Sequence, residues 1–104
     1  MPDIRILIVE DHVKMADSIS KGLEENGFKT EVAYDGFIGK RMADANEYNL
    51  MILDINLPQI NGYELCAGIR KKNLNVPIIM LTDLGSTEVK LLGFENGADD
   101  SLVK

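Results

Sequence analysis

A series of short apolar runs, separated by helix-like segments, constrains the fold of this chain more than any other feature. The runs span residues 4–9, 29–34, 50–53, 77–81 and 101–103. Three of them are apolar at consecutive positions, which is typical of strands buried on both faces of a parallel sheet. Parallel strands are joined by right-handed helical crossovers, so the sequence predicts a doubly wound α/β fold.

The segments between the runs carry helical spacing and capping residues. The first has apolar residues on one helical face before Gly27, and these are Val13, Ala16, Ile19 and Leu23. The next three open at side chains that can cap a helix, and these are Asp35, Asn61 and Ser86. The order of elements favours a flavodoxin-like, five-stranded parallel sheet with strand order 2-1-3-4-5.

Composition bounds the class of protein. The 104 residues are 45% apolar and 27% charged, which suits one soluble domain over residues 1–104. The formal net charge of -6 disfavours nucleic-acid contact by this domain and suits a bound cation. A single cysteine, Cys66, excludes an intrachain disulfide and a multi-cysteine zinc site, and we expect it in the core. No apolar run has the length of a membrane span, so we expect no membrane contact and a cytoplasmic location.

Charged and hydroxyl side chains stand where the apolar runs end. In an open α/β sheet, ligands bind beyond the carboxyl ends of the strands, so these side chains are expected at one edge. Close carboxylates repel one another unless a proton or a cation joins them, and Mg²⁺ prefers oxygen ligands. No Ser-His-Asp or Cys-His set lies near this edge, which favours phosphoryl chemistry with a carboxylate acceptor. The residues at the run ends are Glu10, Asp11, Asp54, Thr82 and Lys104.

Four segments, in this order and at this spacing, resemble the receiver domain of two-component response regulators over nearly the whole chain. The resemblance implies a phosphoprotein switch that accepts its phosphoryl group from a sensor histidine kinase. It also implies self-catalysed phosphorylation and slow dephosphorylation rather than metabolic catalysis, and an effector domain for transcription regulation in a longer protein. The segments are ILIVED at 6–11, ILDINLP at 52–58 followed by Gly62, LT at 81–82 and GADDSLVK at 97–104.

The resemblance implies a role for each residue of the site. Asp54 matches the phosphoacceptor aspartate. Thr82 matches the hydroxyl residue that moves toward the phosphoryl group, and Lys104 matches the lysine that contacts that group. The implied Mg²⁺ ligands are Glu10, Asp11, Asp54 and the backbone carbonyl of Asn56.

Several residues depart from the family pattern. Ser101 stands where the family has an aromatic residue that swings inward, and Asp83 stands where the family has a small residue. The family's fifth helix is missing from this chain, so we expect a partly exposed sheet face. A longer protein or a homodimer would cover that face. The basic residues 70–72 are interpreted as a solvated helix end, where positive charge suits the helix dipole.

Two other functions compete with the phosphorylatable switch. One is a degenerate receiver that acts as a docking or dimerisation module without phosphorylation, to which Ser101 and Asp83 point. The other is a metal-dependent phosphatase of the haloacid-dehalogenase type. That class needs a second aspartate two residues after the nucleophile, where this chain has Asn56.

Overall fold

The computed structural model describes residues 3–73, 75–82, 93 and 95–103. Most of the predicted fourth helix, including its cap Ser86, lies outside these residues, as do Asp83 and Lys104, whereas Gly93 and Glu95 near its end are helical. The described strands are β1 (Arg5–Val9), β2 (Lys29–Ala33), β3 (Leu50–Asp54), β4 (Ile78–Thr82) and β5 (Asp100–Val103). The described helices are α1 (Val13–Glu25), α2 (Gly36–Ala45) and α3 (Gly62–Lys72).

The five strands form one parallel sheet in the order β2-β1-β3-β4-β5, which confirms the predicted flavodoxin-like topology. β1 and β3 are neighbours, with Val9 opposite Leu53. β3 and β4 are also neighbours, with Asp54 opposite Leu81. This register brings the carboxyl ends of the three central strands to the same level of one edge.

Apolar side chains cover both faces of the sheet, as the consecutive apolar runs predict. One face packs against α2 and α3, and Cys66 of α3 is fully buried there. Burial raises the pKa of the Cys66 thiol to about 11, so it behaves as the core residue that was expected. On the other face Ile6, Ile8 and Ile52 pack with side chains of α1. Each large apolar side chain buried in this way stabilises the fold by about 1.5–3 kcal/mol.

The helix starts follow the capping residues. Asp35 Oδ1 accepts a hydrogen bond of 2.8 Å from the backbone N–H of Ile38, and Asn61 Oδ1 accepts one of 2.9 Å from Glu64. Each cap contributes about 1 kcal/mol. α1 has no side-chain cap at His12, and its first residue, Val13, is 54% exposed. The spacing of the apolar residues predicts that Val13 belongs to the inward face of α1. In the structure this face begins at Ala16 instead.

Arg70 is not the solvated helix-end residue that its neighbours suggest. Its side chain is only 15% exposed and forms an ion pair of 2.7 Å with Asp99. Its guanidinium also donates to the backbone carbonyls of Gly97 at 2.8 Å and Val76 at 2.5 Å. Asp99 in turn accepts from the N–H of Ile78 at 2.8 Å. Arg70 therefore fastens the end of α3 to the starts of β4 and β5.

β5, the last strand in the sheet order, carries two exposed apolar side chains. Leu102 is opposite Leu81 and is 53% exposed, although Leu81 itself is buried. The next residue, Val103, belongs to the opposite face of the sheet and is 57% exposed. Among the described residues, no helix combines the length and the apolar character that a membrane span requires.

Candidate functional site

Three carboxylates meet at the carboxyl ends of β1 and β3. Glu10 and Asp11 follow β1, and Asp54 is the last residue of β3. Oxygen atoms of all three lie within 4.8 Å of one another. Glu10 and Asp54 are 0% and 1% exposed, whereas Asp11 is exposed. The structure thus brings together the three acids that the sequence places at strand ends.

Both buried acids lie where the backbone is hydrogen-bonded to a neighbouring strand, either at the acid itself or at the residue after it. The N–H of Glu10 donates to the carbonyl of Ala33 at 3.0 Å, and the N–H of Ile55 donates to the carbonyl of Leu81 at 3.0 Å. The ladder hydrogen bonds therefore continue to the residues that carry or follow the carboxylates. Their positions are set by strand pairing, which is more precise than a loop would be.

Each buried carboxylate accepts a hydrogen bond from the backbone two residues further on. Asp54 Oδ1 accepts from the N–H of Asn56 at 3.2 Å, and Glu10 Oε1 accepts from the N–H of His12 at 3.3 Å. Side chains of this kind turn the chain locally by replacing a backbone acceptor. The two bonds orient the carboxylates where the chain leaves the sheet.

Gly62 allows the start of α3 to lie directly against the acceptor strand. A Cβ at this position would be 2.3 Å from the carbonyl oxygen of Asp54 and 2.8 Å from Cα of Ile55. The N–H of Gly62 donates to the carbonyl of Ile55 at 2.9 Å. The glycine in the sequence motif therefore has a steric cause, because only a residue without a side chain fits beside Asp54.

The other predicted site residues are distributed around the acids. Thr82 ends β4, is 3% exposed, and lies one residue beyond the partner of Asp54 in the neighbouring strand. Asn56 is exposed in the loop after β3, with its N–H on Asp54. Lys104 follows Val103 at the end of β5 and lies outside the described residues.

The donor set fits a hard divalent cation. It consists of carboxylate oxygens, two of them on buried side chains whose negative charges disfavour each other. Mg²⁺ takes oxygen ligands, commonly one or two carboxylates together with water and phosphate oxygens. The exposed Asp11 gives such a cation access from solvent.

The opposite edge of the sheet holds a cluster that sequence reasoning missed. Glu31 accepts hydrogen bonds from Arg5 at 2.5 Å and from the hydroxyl of Tyr48 at 2.8 Å, and the Arg5 guanidinium lies 5.2 Å from the Tyr48 ring centroid. The hydrogen bonds from Arg5 and Tyr48 lower the pKa of Glu31. Burial, followed by the contact with Glu31, raises the pKa of Tyr48 to about 12. The register of β1 on β2, which pairs Arg5 with Lys29 and so puts Glu31 two residues further along β2, is a result of the structure that no local sequence pattern reveals.

Comparison with known protein sequences gives one family. The model of the response regulator receiver domain matches residues 6–104. The probable transcriptional regulatory protein SilR of Salmonella typhimurium is 45% identical over 101 residues, which are 97% of this chain and 44% of that protein. The transcriptional regulatory protein CusR of Escherichia coli is 44% identical over the same shares. The chain thus spans less than half the length of these relatives.

Solved structures agree with the sequence comparison. The receiver domain of a Francisella response regulator has a TM-score of 0.92 and 37% identity, covering 98% of this chain and 84% of that one. The response regulator TrrA of Thermotoga maritima, solved in complex with Mg²⁺ and BeF, has a TM-score of 0.89 and 33% identity, covering 97% and 86%. With this fold, these strand-end acids and a family match over nearly its whole length, the chain belongs to the response regulator receiver domains of two-component systems.

Proposed function

We propose that this domain accepts a phosphoryl group on Asp54 from a sensor histidine kinase and that the new charge switches its conformation to control an output. The observation that carries the proposal is the convergence of Glu10, Asp11 and Asp54 within 4.8 Å at the ends of two adjacent strands. We further propose that the output is transcription, through an effector domain elsewhere in a longer protein. SilR and CusR, which are named as transcriptional regulatory proteins, support this part.

The transfer step requires positioning more than covalent machinery. A carboxylate oxygen of Asp54 forms a bond to phosphorus while the bond between phosphorus and the donor imidazole nitrogen breaks. The nitrogen keeps the electron pair, and the imidazole leaves neutral because the other ring nitrogen of the phosphohistidine carries a proton. The end of β3 and the N–H of Asn56 hold the Asp54 carboxylate in one orientation for this attack.

Charge neutralisation is the second requirement. Glu10, Asp11, Asp54 and the backbone carbonyl of Asn56 would hold Mg²⁺, which when bound offsets the negative charge of the carboxylates and of the phosphoryl oxygens. The complex of TrrA with Mg²⁺ and BeF supports a cation in this class of site. Lys104 would add a positive point charge from the end of β5.

The switch follows from the charge added by phosphorylation, which is roughly one to two negative units at pH 7. Thr82 has a hydroxyl that can donate to a phosphoryl oxygen, and it ends the strand next to β3. Movement of Thr82 toward the phosphoryl group would carry the chain that follows β4 with it. A local electrostatic event would thereby become a change of shape.

Intact mass spectrometry tests the proposal directly. Incubation with acetyl phosphate and Mg²⁺ should add the mass of one phosphoryl group to the wild-type chain, and chelation of Mg²⁺ should prevent the gain. Asp54→Asn should show no gain. Asp35→Asn makes the same substitution at a helix cap outside the site and should be phosphorylated like the wild type, because asparagine caps equally well. A wild-type chain that gains no mass would contradict the proposal and favour the phosphorylation-independent docking module.

A further inference from the structure

We propose that Gly36, at the start of α2, is a positioning residue that sets the geometry of the loop between β3 and α3 and thereby the affinity and selectivity of the cation site. The inference rests on the proposed function, since it takes the backbone of Asn56 in that loop as a ligand. None of the three clustered acids belongs to α2, so any influence of this helix on the site has to pass through contacts.

The loop between β3 and α3 is short and tightly folded. It is closed by the bond from the N–H of Gly62 to the carbonyl of Ile55. Two three-residue turns lie inside it, one centred on Asn56 and closed by a bond of 3.1 Å, the other centred on Gln59 and closed by one of 2.8 Å. Gln59 has a φ of 71°, in the region that favours glycine. A loop built from such turns has little slack to absorb a displacement.

Gly36 presses the backbone of α2 against this loop. A Cβ at Gly36 would lie 2.5 Å from the carbonyl oxygen of Ile60 and 2.9 Å from Cβ of Ile60, whereas ordinary contact begins near 3.4 Å. The nearest obstacle is therefore backbone, which cannot rotate away as a side chain would. An alanine at position 36 has to displace either α2 or the loop.

A second glycine fixes α2 on the other half of the site. A Cβ at Gly39 would lie 2.8 Å from a methyl carbon of Val9, the residue that precedes Glu10. Gly36 and Gly39 are the buried residues of α2. Through them the helix touches both the strand that delivers Glu10 and Asp11 and the loop that follows Asp54. The packing of α2 thus sets the spacing between the two halves of the cation site.

Cation selectivity follows from this arrangement. Mg²⁺ demands near-ideal octahedral geometry at about 2.0–2.1 Å, whereas Ca²⁺ accepts more variable geometry at about 2.3–2.6 Å. A displaced loop should therefore weaken Mg²⁺ binding more than Ca²⁺ binding. A residue that matters only for folding would change the two affinities equally or not at all.

The test is calorimetric titration of Mg²⁺ and Ca²⁺ into the wild-type chain, Gly36→Ala and Gly22→Ala. Gly22 is the matched control because a Cβ there has no atom within 4 Å. Gly36→Ala should raise the Kd for Mg²⁺ about tenfold, as supporting residues of metal sites commonly do. Its Kd for Ca²⁺ should rise by less than about threefold. Gly22→Ala should match the wild type for both ions.

A folded Gly36→Ala with an unchanged Kd for Mg²⁺, or with equal losses for both ions, would overturn the inference and leave the proposed function intact. If the variant does not fold, the wild-type chain decides. In an NMR titration with Mg²⁺, the amide of Gly36 should shift and saturate together with that of Asn56, while the amide of Gly22 stays in place. A stationary Gly36 amide would overturn the inference. A wild-type chain that binds no Mg²⁺ would overturn the proposed function and the inference with it.

Discussion

Charged side chains are arranged in opposite ways at the amino edge of the sheet, where the strands begin, and at its carboxyl edge, where they end. At the amino edge, Glu31 is balanced by Arg5 and Tyr48, which lie within hydrogen-bond distance. At the carboxyl edge, two buried acids and Asp11 converge with like charge. The amino edge satisfies its charges within the chain and so contributes to stability. The carboxyl edge concentrates like charge at one place, and a bound cation, as we propose, would offset it.

Gly62→Ala should produce the largest loss of stability, because the added Cβ would overlap with the backbone of Asp54 and Ile55 at the carboxyl edge. The added Cβ would be 2.3 Å from the Asp54 carbonyl oxygen, and overpacking against backbone costs about 3 kcal/mol of unfolding free energy. Denaturant unfolding measures the loss. Gly22→Ala should not destabilise, since its Cβ meets open space. Equal stability of the two variants would show that the close approach at Gly62 is not needed.

Asp54→Asn should reverse the usual sign of a mutation at a buried site. Without a cation, removing one of the converging charges should raise the unfolding free energy by about 1–2 kcal/mol. Mg²⁺ at tenfold its Kd should stabilise the wild-type chain by about 1.4 kcal/mol and the variant by much less. Thermal unfolding with chelator and with Mg²⁺ measures both effects, and Asp35→Asn is the control. A destabilised Asp54→Asn in chelator would break the contrast between the two edges.

The contrast also separates what the sequence could predict from what required coordinates. Strand-end residues such as Glu10 and Asp54 were predictable, because parallel strands bring their carboxyl ends to one edge whatever the side chains do. The burial of Arg70 was not, since its partners Gly97 and Asp99 lie 27 and 29 residues away in the chain. The steric need for Gly36 depends on the backbone of Ile60, which no local pattern reveals. Topology is therefore encoded in local patterns, whereas these long-range contacts depend on the assembled packing.

Glu31→Gln should have the ordinary sign and a smaller size. The substitution removes the carboxylate charge to which Arg5 and Tyr48 donate hydrogen bonds. Because the side chains of Glu31 and Arg5 are more than a third exposed, solvent screening limits the loss of unfolding free energy to about 0.5–1 kcal/mol at neutral pH. Chemical denaturation at low ionic strength measures the loss, and added salt should shrink it. A Glu31→Gln variant more stable than the wild type would mean that the charge of Glu31 destabilises the fold, as we expect of the converging acids at the carboxyl edge.

The pH dependence of stability should show the same pairing. The pKa of Glu31 is lowered in the folded chain, so its contribution is present above its ordinary value of 4.5 and is lost as the pH falls through its folded pKa. The pKa of Tyr48 is raised to about 12, so its contribution is present below its ordinary value of 10.0 and is lost as the pH rises toward 12. The unfolding free energy, measured across pH, should no longer show the fall at acid pH in Glu31→Gln. It should no longer show the fall at alkaline pH in Tyr48→Phe. Unchanged profiles would contradict the assignment.

Gln59→Gly should give the smallest effect and locate strain at the carboxyl edge. Among the described residues other than glycine, Gln59 alone has a positive φ. A non-glycine residue in that region of φ destabilises the folded state by about 1 kcal/mol. Glycine removes this strain, but it also gives the unfolded chain more conformational freedom, which offsets part of the gain in stability. The variant should therefore be more stable by a few tenths of a kcal/mol up to about 0.5 kcal/mol, measured by denaturant unfolding in chelator. Since the strained turn lies in the loop that follows Asp54, the relaxed loop should also bind Mg²⁺ less tightly. A gain in stability together with a loss of affinity would mean that backbone strain, like the convergence of the three acids, is kept beside the proposed cation site.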